Sequence, residues 1–445
     1  MTIRNMATRS FKKELRGGMT VLTIHGGLAS RARRIAVLGV IAAVSLLATF
    51  IPNAGVSAKS KFNGTITFGV LHPFTGAYAS VGEASLQGVT TAAAEINANG
   101  GVLGKKLLVA HADTLADPVD AVPAARHLIA TSSPAAIIGP GGLEITAVQS
   151  ILDQAKIPFE FEGGDTAYDH TTDPMLWRDS PSDEQEGVAM ALFAMHKGFK
   201  KAAFMMSSIT SAQDFIPYIE GAYKKLGGQI VANEVMTPGL SSYRSEVLKV
   251  VQAHPQVIFT QVEPPTAAVM TRDLKEIDNL KIPFIATDTS TAPEWISAVT
   301  PAVAHADIWH AEGATLNTGA TPTFMKFLHK AHKGAQPLAS ANYAYDGAIV
   351  LALAIEKAGT TNGPTFAKDI PKVASPPGKQ VTNYGAGVKW IKKRKDINYQ
   401  GASGSMDYNK YHNVFGPFEI VKSDSHGNLK QVTIIGAKAI EKATP

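Results

Sequence analysis

Apolar residues at Ile66, Phe68 and Val70 are spaced for a strand, and then the period changes: Leu86, Val89, Ala93 and Ile96 recur at the spacing of one helix face. Pro73 and Gly76 mark the loop between the two patterns. Asn99-Gly100-Gly101 supplies a positive-φ stop, and an extended apolar run resumes over 107–110. The opening therefore predicts a βαβ unit. In parallel sheets ligands sit beyond the carboxyl ends of the strands, so the loop over 72–82 is placed at a binding edge. A helix over 118–130 follows, with Asp117 as its cap, Pro118 in its first turn and Asp120 favouring the dipole. Beyond it come a strand over 135–138, a loop over 139–144, a helix over 145–155 and a strand over 157–161.

The alternation then starts again. Ser182-Asp183-Glu184-Gln185 is a capping-box pattern before a helix. Strands are predicted over 202–206, 229–236, 257–262 and 283–287, separated by helices over 214–226, 242–253 and up to 277. The β/α alternation played twice predicts an α/β protein of two doubly wound lobes, with a closed β/α barrel as the alternative, and breaks in rhythm at Ser182 and at Glu312-Gly313 place crossings between the lobes. Helices are expected over 324–333 and 343–358, and less regular chain over 360–404. Extended runs over 414–421 and 432–435 flank the turn Ser425-His426-Gly427-Asn428.

Charge changes this picture at one end. The formal charge is +5 over 445 residues. Residues 1–58 hold Arg4, Arg9, Lys12, Lys13, Arg16, Arg31, Arg33 and Arg34 against Glu14, so the rest is slightly acidic and no nucleic-acid surface is expected. The apolar run Ile35 to Ile51 behind Arg31, Arg33 and Arg34, followed by Val56-Ser57-Ala58, predicts a secretory leader over 1–58, with an uncleaved anchor as the alternative. The chain has no cysteine, which excludes disulfides, thiol catalysis and a lipid-modified cysteine.

Several spaced blocks carry a family resemblance: GVLHPFTGAYASVG over 69–82, AEINANGGVLGK over 94–105, DTLADPVDA over 113–121, Ile137-Ile138-Gly139, Arg178 with Pro181-Ser182-Asp183, and Tyr343-Ala344-Tyr345-Asp346. In these blocks the chain resembles the type I periplasmic solute-binding proteins of ABC importers, branched-chain amino acid and amide class. The resemblance implies two Rossmann-like, doubly wound lobes joined by a three-strand hinge, lobe I over 61–181 and 314–408, and lobe II over 182–313 and 409–445. It implies a non-enzymatic monomer, exported to the periplasm or the outer face of the cytoplasmic membrane. Such a protein lies peripheral to the membrane, carries a small-molecule solute to ABC permease subunits, and uses no metal or cofactor.

Position by position, the resemblance puts ligand contacts at Leu143 and Glu144, at Gly164 and Asp165, and in lobe II at Ser211, Glu263 and Asp288, the last receiving an ammonium group. Tyr78 either stacks on the ligand or covers the loop. Glu144 in place of a hydroxyl residue would repel a ligand carboxylate, which turns the expectation from a branched-chain amino acid toward an amide, urea-like or cationic solute. Each position also has a structural reading. Asp288 and Ser211 suit helix caps, Glu144 and Asp165 suit helix starts, Glu263 suits a wet loop, and Tyr345-Asp346 suits a helix packed under the cleft. His329 and His332 suit a solvated face rather than a metal pair, and Gly139-Pro140-Gly141-Gly142 lacks the third glycine of a dinucleotide loop. A sensor reporting to a membrane receptor and an exported α/β enzyme are the rival functions; for the enzyme no nucleophile with base is in sight.

Overall fold

A computed structural model describes residues 62–303, 305–314 and 316–445; the expected leader over 1–58 lies outside the described residues. Five strands, β1 (Thr65–His72), β2 (Lys106–Asp113), β3 (Ala136–Gly141), β4 (Phe159–Glu162) and β5 (Leu176–Arg178), form one sheet in the order β2-β1-β3-β4-β5. All its pairs are parallel. Its central strands are covered on both faces, which is why Phe68, Val70, Ile137 and Phe159 are fully buried and read as near-continuous apolar runs.

The helix Ala79–Ala98 crosses back over this sheet and packs on the helix Ala341–Ala358. Gly88 permits that approach, because a Cβ there would come within 2.2 Å of the Ala341 carbonyl oxygen. Beneath the second helix, Asp346 accepts from the Ser403 N–H and hydroxyl, both at 2.6 Å, the Tyr399 hydroxyl at 2.7 Å and the Ala402 N–H at 3.0 Å. Tyr345 donates its hydroxyl to Glu95. These two residues hold the helix to the body of the protein.

The second sheet has seven strands. β6 (Lys201–Ser207), β7 (Gln229–Met236), β8 (Val257–Gln261), β9 (Phe284–Ala286) and β10 (Ile308–Gly313) run parallel. A separate two-stranded sheet, β11 (Lys379–Val381) and β12 (Ile397–Tyr399), lies in the region expected to be irregular. The hairpin β13 (Phe418–Ser423) and β14 (Leu429–Ile435) then adds antiparallel to β10, giving the order β14-β13-β10-β9-β8-β6-β7.

Each sheet builds its own core, and the chain passes between them three times. Trp177 belongs to the first core and Val188 to the second; Ala311 to the second and Ala320 to the first; Val414 to the first and Phe418 to the second. The last passage therefore falls beyond the expected 408/409 boundary. These passages are stitched to one another. Gln185 donates to the Val414 carbonyl at 3.0 Å and accepts from the Gly416 N–H at 3.1 Å, and the Ala314 N–H donates to the Pro417 carbonyl at 3.0 Å. The predicted capping box is thus half made: the Ser182 hydroxyl accepts from the Gln185 N–H at 3.4 Å, while the Gln185 side chain serves the neighbouring passage.

Several elements escape sequence periodicity. β5 is three residues long, and the helix Pro293–Val303 carries Pro301 inside it. β10 contains His310 and Glu312, and the chain over 360–404 holds short helices at Gly363–Phe366, Ile370–Ala374 and Tyr384–Ile391. A closing helix, Ala437–Ala443, was likewise not expected.

Candidate ligand-binding cleft

A cavity of about 560 Å³ opens where strand ends of both sheets meet. The first sheet contributes Ser85 from the helix after β1, Gly163 and Gly164 after β4, and Ser180 and Pro181 after β5. The second contributes Asp288 after β9 and Gly313 at the end of β10, and Asn342 and Tyr343 enter from the start of the helix Ala341–Ala358. The order of the first sheet reverses between β1 and β3, and that of the second between β6 and β8. The cavity sits to one side of both reversal points, toward β4, β5, β9 and β10, close to the three passages.

That displacement decides where the expected contacts fall. Gly164 and Asp288 line the cavity. Tyr78 and Leu143 are exposed, at 52% and 51%, outside its lining. Glu144 is buried and turned inward, accepting from the Thr114 hydroxyl at 2.6 Å. Asp165 caps the short turn after β4 by accepting from the Ala167 N–H at 2.9 Å. Ser211 lies exposed in the helical turn Thr210–Gln213, and Glu263 accepts from the Ser207 hydroxyl at 2.7 Å ahead of the helix Pro264–Asp278.

Gly164 has a steric reason to be glycine. A Cβ there would lie 1.5 Å from Asp183 Oδ1, and the Gly164 carbonyl accepts from the Asp183 N–H at 2.8 Å. The loop after β4 is thereby laid directly on the start of the helix Asp183–His196, across the first passage.

The chemistry of the wall is acidic. Glu162, Asp183, Glu186, Asp288 and Glu312 all line the cavity, and no lysine, arginine or histidine does among the described residues. Glu162 is engaged within the first lobe, by the His72 ring at 2.7 Å and the Ser85 hydroxyl at 2.5 Å. Glu186 is buried, and one of its oxygens accepts from the Asp288 N–H at 2.7 Å. Burial, followed by repulsion from Asp288 and Asp183, holds its carboxyl well above the ordinary range. Asp183 is raised in the same way, by burial and then by Asp288, against the pull of Arg178. Glu312 is pushed up to about 7 by burial, Glu419 and Asp288. Asp288 is raised by burial alone, although it keeps accessible surface: on the wall of a concave cleft a side chain is reached by water while protein encloses it on most sides.

The nearest cation is committed elsewhere. Arg178 is fully buried, donates to Asp169 and, at 2.5 Å, to the Asp165 carbonyl, and lies over the Phe161 ring. Beneath the cleft, Asp179 is buried with no side-chain or main-chain partner for either carboxylate oxygen among the described residues, and Glu160 beside it accepts from the Tyr408 hydroxyl at 3.0 Å. Burial raises both carboxyls, Glu160 to about 8.

Residues 65–419 match the family model described as a periplasmic binding protein. The chain belongs to that family. Among curated relatives, an "Amino acid binding protein" of Pseudomonas aeruginosa is 27% identical over 247 residues, 53% of this chain and 66% of that protein, just under two thirds. A "Leu/Ile/Val-binding protein homolog 2" of Brucella abortus is 26% identical over 308 residues, 67% of this chain and 80% of the relative. The leucine-binding protein LivK of Thermotoga maritima superposes with a TM-score of 0.66 at 20% identity, covering 83% of this chain and 99% of LivK. LivJ of Streptococcus pneumoniae, in complex with isoleucine, gives 0.65 at 18% identity, covering 84% and 99%. The family fold is thus the type I periplasmic binding protein fold.

Glu162, Asp183, Glu186, Glu312 and Tyr343 were not singled out as contacts by sequence reasoning. Asp183 and Glu186 stand in the first turn of a helix, where acids favour the dipole and attract no notice. The signal that could have found them is surplus: Asp183, Glu184 and Glu186 exceed what one helix start needs.

Proposed function

We propose that this protein is an exported solute-binding protein that captures a small polar solute, an amino acid, amide or related compound, between its two cores and delivers it to an ABC importer. The observation that carries the reading is the cavity between strand ends, walled by residues of both sheets beside three adjacent passages of the chain. The two cores are the two lobes, and the passages are their hinge. A solute touching both lobes stabilises the closed arrangement by the contacts it makes only there, and that shift in population is what permease subunits read. The names of the relatives support the role: homologues named for leucine, isoleucine and valine, LivJ holding isoleucine, and an ABC-transporter solute-binding protein of R. palustris solved with 4-hydroxybenzoate. The protein works as a monomer, peripheral to the membrane, after removal of residues 1–58.

A thermal-shift screen of the purified protein tests this. A solute present at a hundred times its dissociation constant stabilises by about 2.7 kcal/mol, a readily measured rise in melting temperature. Uptake of that solute by cells carrying the matching permease, dependent on this protein, completes the test. No shift with amino acids, amides, urea, amines or aromatic acids would refute the reading, and so would turnover of any of them.

A further inference from the structure

We propose that the solute is a small organic cation, an aliphatic amine or diamine without a carboxylate, held by its ammonium group among Asp183, Glu186, Asp288 and Glu312. This inference rests on the solute-binding reading above and names the chemistry of that site.

Three observations converge on it. First, the four carboxylates line one cavity from three separate elements, the helix Asp183–His196, the turn Asp288–Thr291 and β10. Second, two buried side chains present unpartnered polar atoms to that cavity. Glu186 is 2% exposed and uses one oxygen on the Asp288 N–H, leaving the other without a protein partner among the described residues. Tyr343 is 9% exposed, and its hydroxyl has no protein partner among the described residues. A Cβ on Gly313 would meet that hydroxyl at 2.6 Å, so the glycine leaves it room. An ammonium group with three donors suits a carboxylate oxygen and a phenol oxygen together.

Third, an anionic group meets no cationic side chain on the wall among the described residues. Arg178, the nearest cation, is spent on Asp169 and the Asp165 carbonyl. On the first lobe, Glu162 faces the cavity together with the Ser85 hydroxyl that donates to it.

The crowding has a consequence that separates this proposal from its opposite. The charged groups facing the four carboxylates are Glu162, Asp165, Asp169, Asp179 and Glu419, with Arg178 behind Asp183. Burial and mutual repulsion keep part of the group protonated when the cleft holds only water. An entering cation favours the ionised forms, so it drives protons off; a carboxylic acid bound by protonated side chains would take protons up.

Titration calorimetry with 1,4-diaminobutane and agmatine, against leucine, acetamide and benzoate, in buffers of different ionisation enthalpy, tests the proposal. The expected result is binding of an amine, proton release on binding, and affinity that rises from about pH 6 to about pH 8. Glu186→Gln and Asp288→Asn should each weaken the amine at least tenfold without lowering the melting temperature of the free protein, and Tyr343→Phe should weaken it several-fold. Tighter binding of leucine, acetamide or benzoate, proton uptake, or amine affinity untouched by both carboxylate variants would overturn the cationic assignment and leave the solute-binding role standing. Failure of every solute class would overturn both.

Discussion

Glu312→Gln should stabilise the free protein at neutral and alkaline pH and leave it unchanged in acid. Burial, Glu419 and Asp288 hold the Glu312 carboxyl at about 7 instead of its ordinary 4.5, and the Thr291 hydroxyl only partly offsets them. A carboxyl raised by folding binds its proton more tightly in the native state than in the unfolded chain. Its contribution therefore favours the fold at low pH and is lost as pH climbs from the unfolded value through the native one, with the full penalty in force above about 7. At about 1.4 kcal/mol for each pKa unit the displacement corresponds to roughly 3 kcal/mol. Glu312 is partly accessible to water, and screening reduces the expected gain to about 1–2 kcal/mol. Glutamine keeps the shape and a carbonyl acceptor while removing the charge. Urea unfolding followed by tryptophan fluorescence reads the right region, since Trp295 and Trp309 are buried in the second lobe. The midpoint of the variant should exceed that of the parent at about pH 8 and coincide with it at about pH 4. A variant less stable than the parent at both pH values would show that Glu312 is held by favourable partners, and the picture of a self-repelling cleft would fail.

Two further substitutions probe how the cleft is supported. Arg178→Met leaves the buried Asp169 carboxylate without its counter-charge and the Asp165 loop without its donor, so it should cost about 3–5 kcal/mol in thermal or chemical unfolding. A cost below about 1 kcal/mol would mean that Asp169 is neutral in the native state. Gly164→Ala drives a Cβ onto Asp183 and should push the loop after β4 away from the first passage, lowering solute affinity at least tenfold in calorimetry. Unchanged affinity would show that this loop does not wall the occupied cleft.

Much of the architecture is legible because parallel strands buried on both faces and amphipathic helices leave strong periodic marks. Ile66, Phe68 and Val70 mark β1, and Leu86, Val89, Ala93 and Ile96 mark the helix after it. Where polar residues occupy central strands, the mark disappears. β10 carries His310, whose ring is sandwiched between the Ser290 hydroxyl at 2.6 Å and the Ser423 hydroxyl at 2.5 Å, and Glu312, which faces the cavity. β5 ends in Arg178, a charge that reads as surface and is fully buried. Burial of such groups is decided by partners distant in sequence, and one chain read alone does not display them.

The same reason limits how far the cleft could be read. Gly164 and Asp288 come from position after a strand, which the family topology preserves. Glu186 and Glu312 come into the cleft only because a helix start, a short turn and a strand end are brought together by three passages of the chain. Glu144 and Glu263 show the converse: acids expected in the cleft are hydrogen-bonded by Thr114 and Ser207 of their own lobes.

Closure of the two proposed lobes on a solute is directly observable by small-angle X-ray scattering. Purified protein should lose radius of gyration when saturated with the amine that calorimetry selects, and Gly164→Ala should blunt the change. Superimposable scattering curves with and without a bound solute would contradict the account.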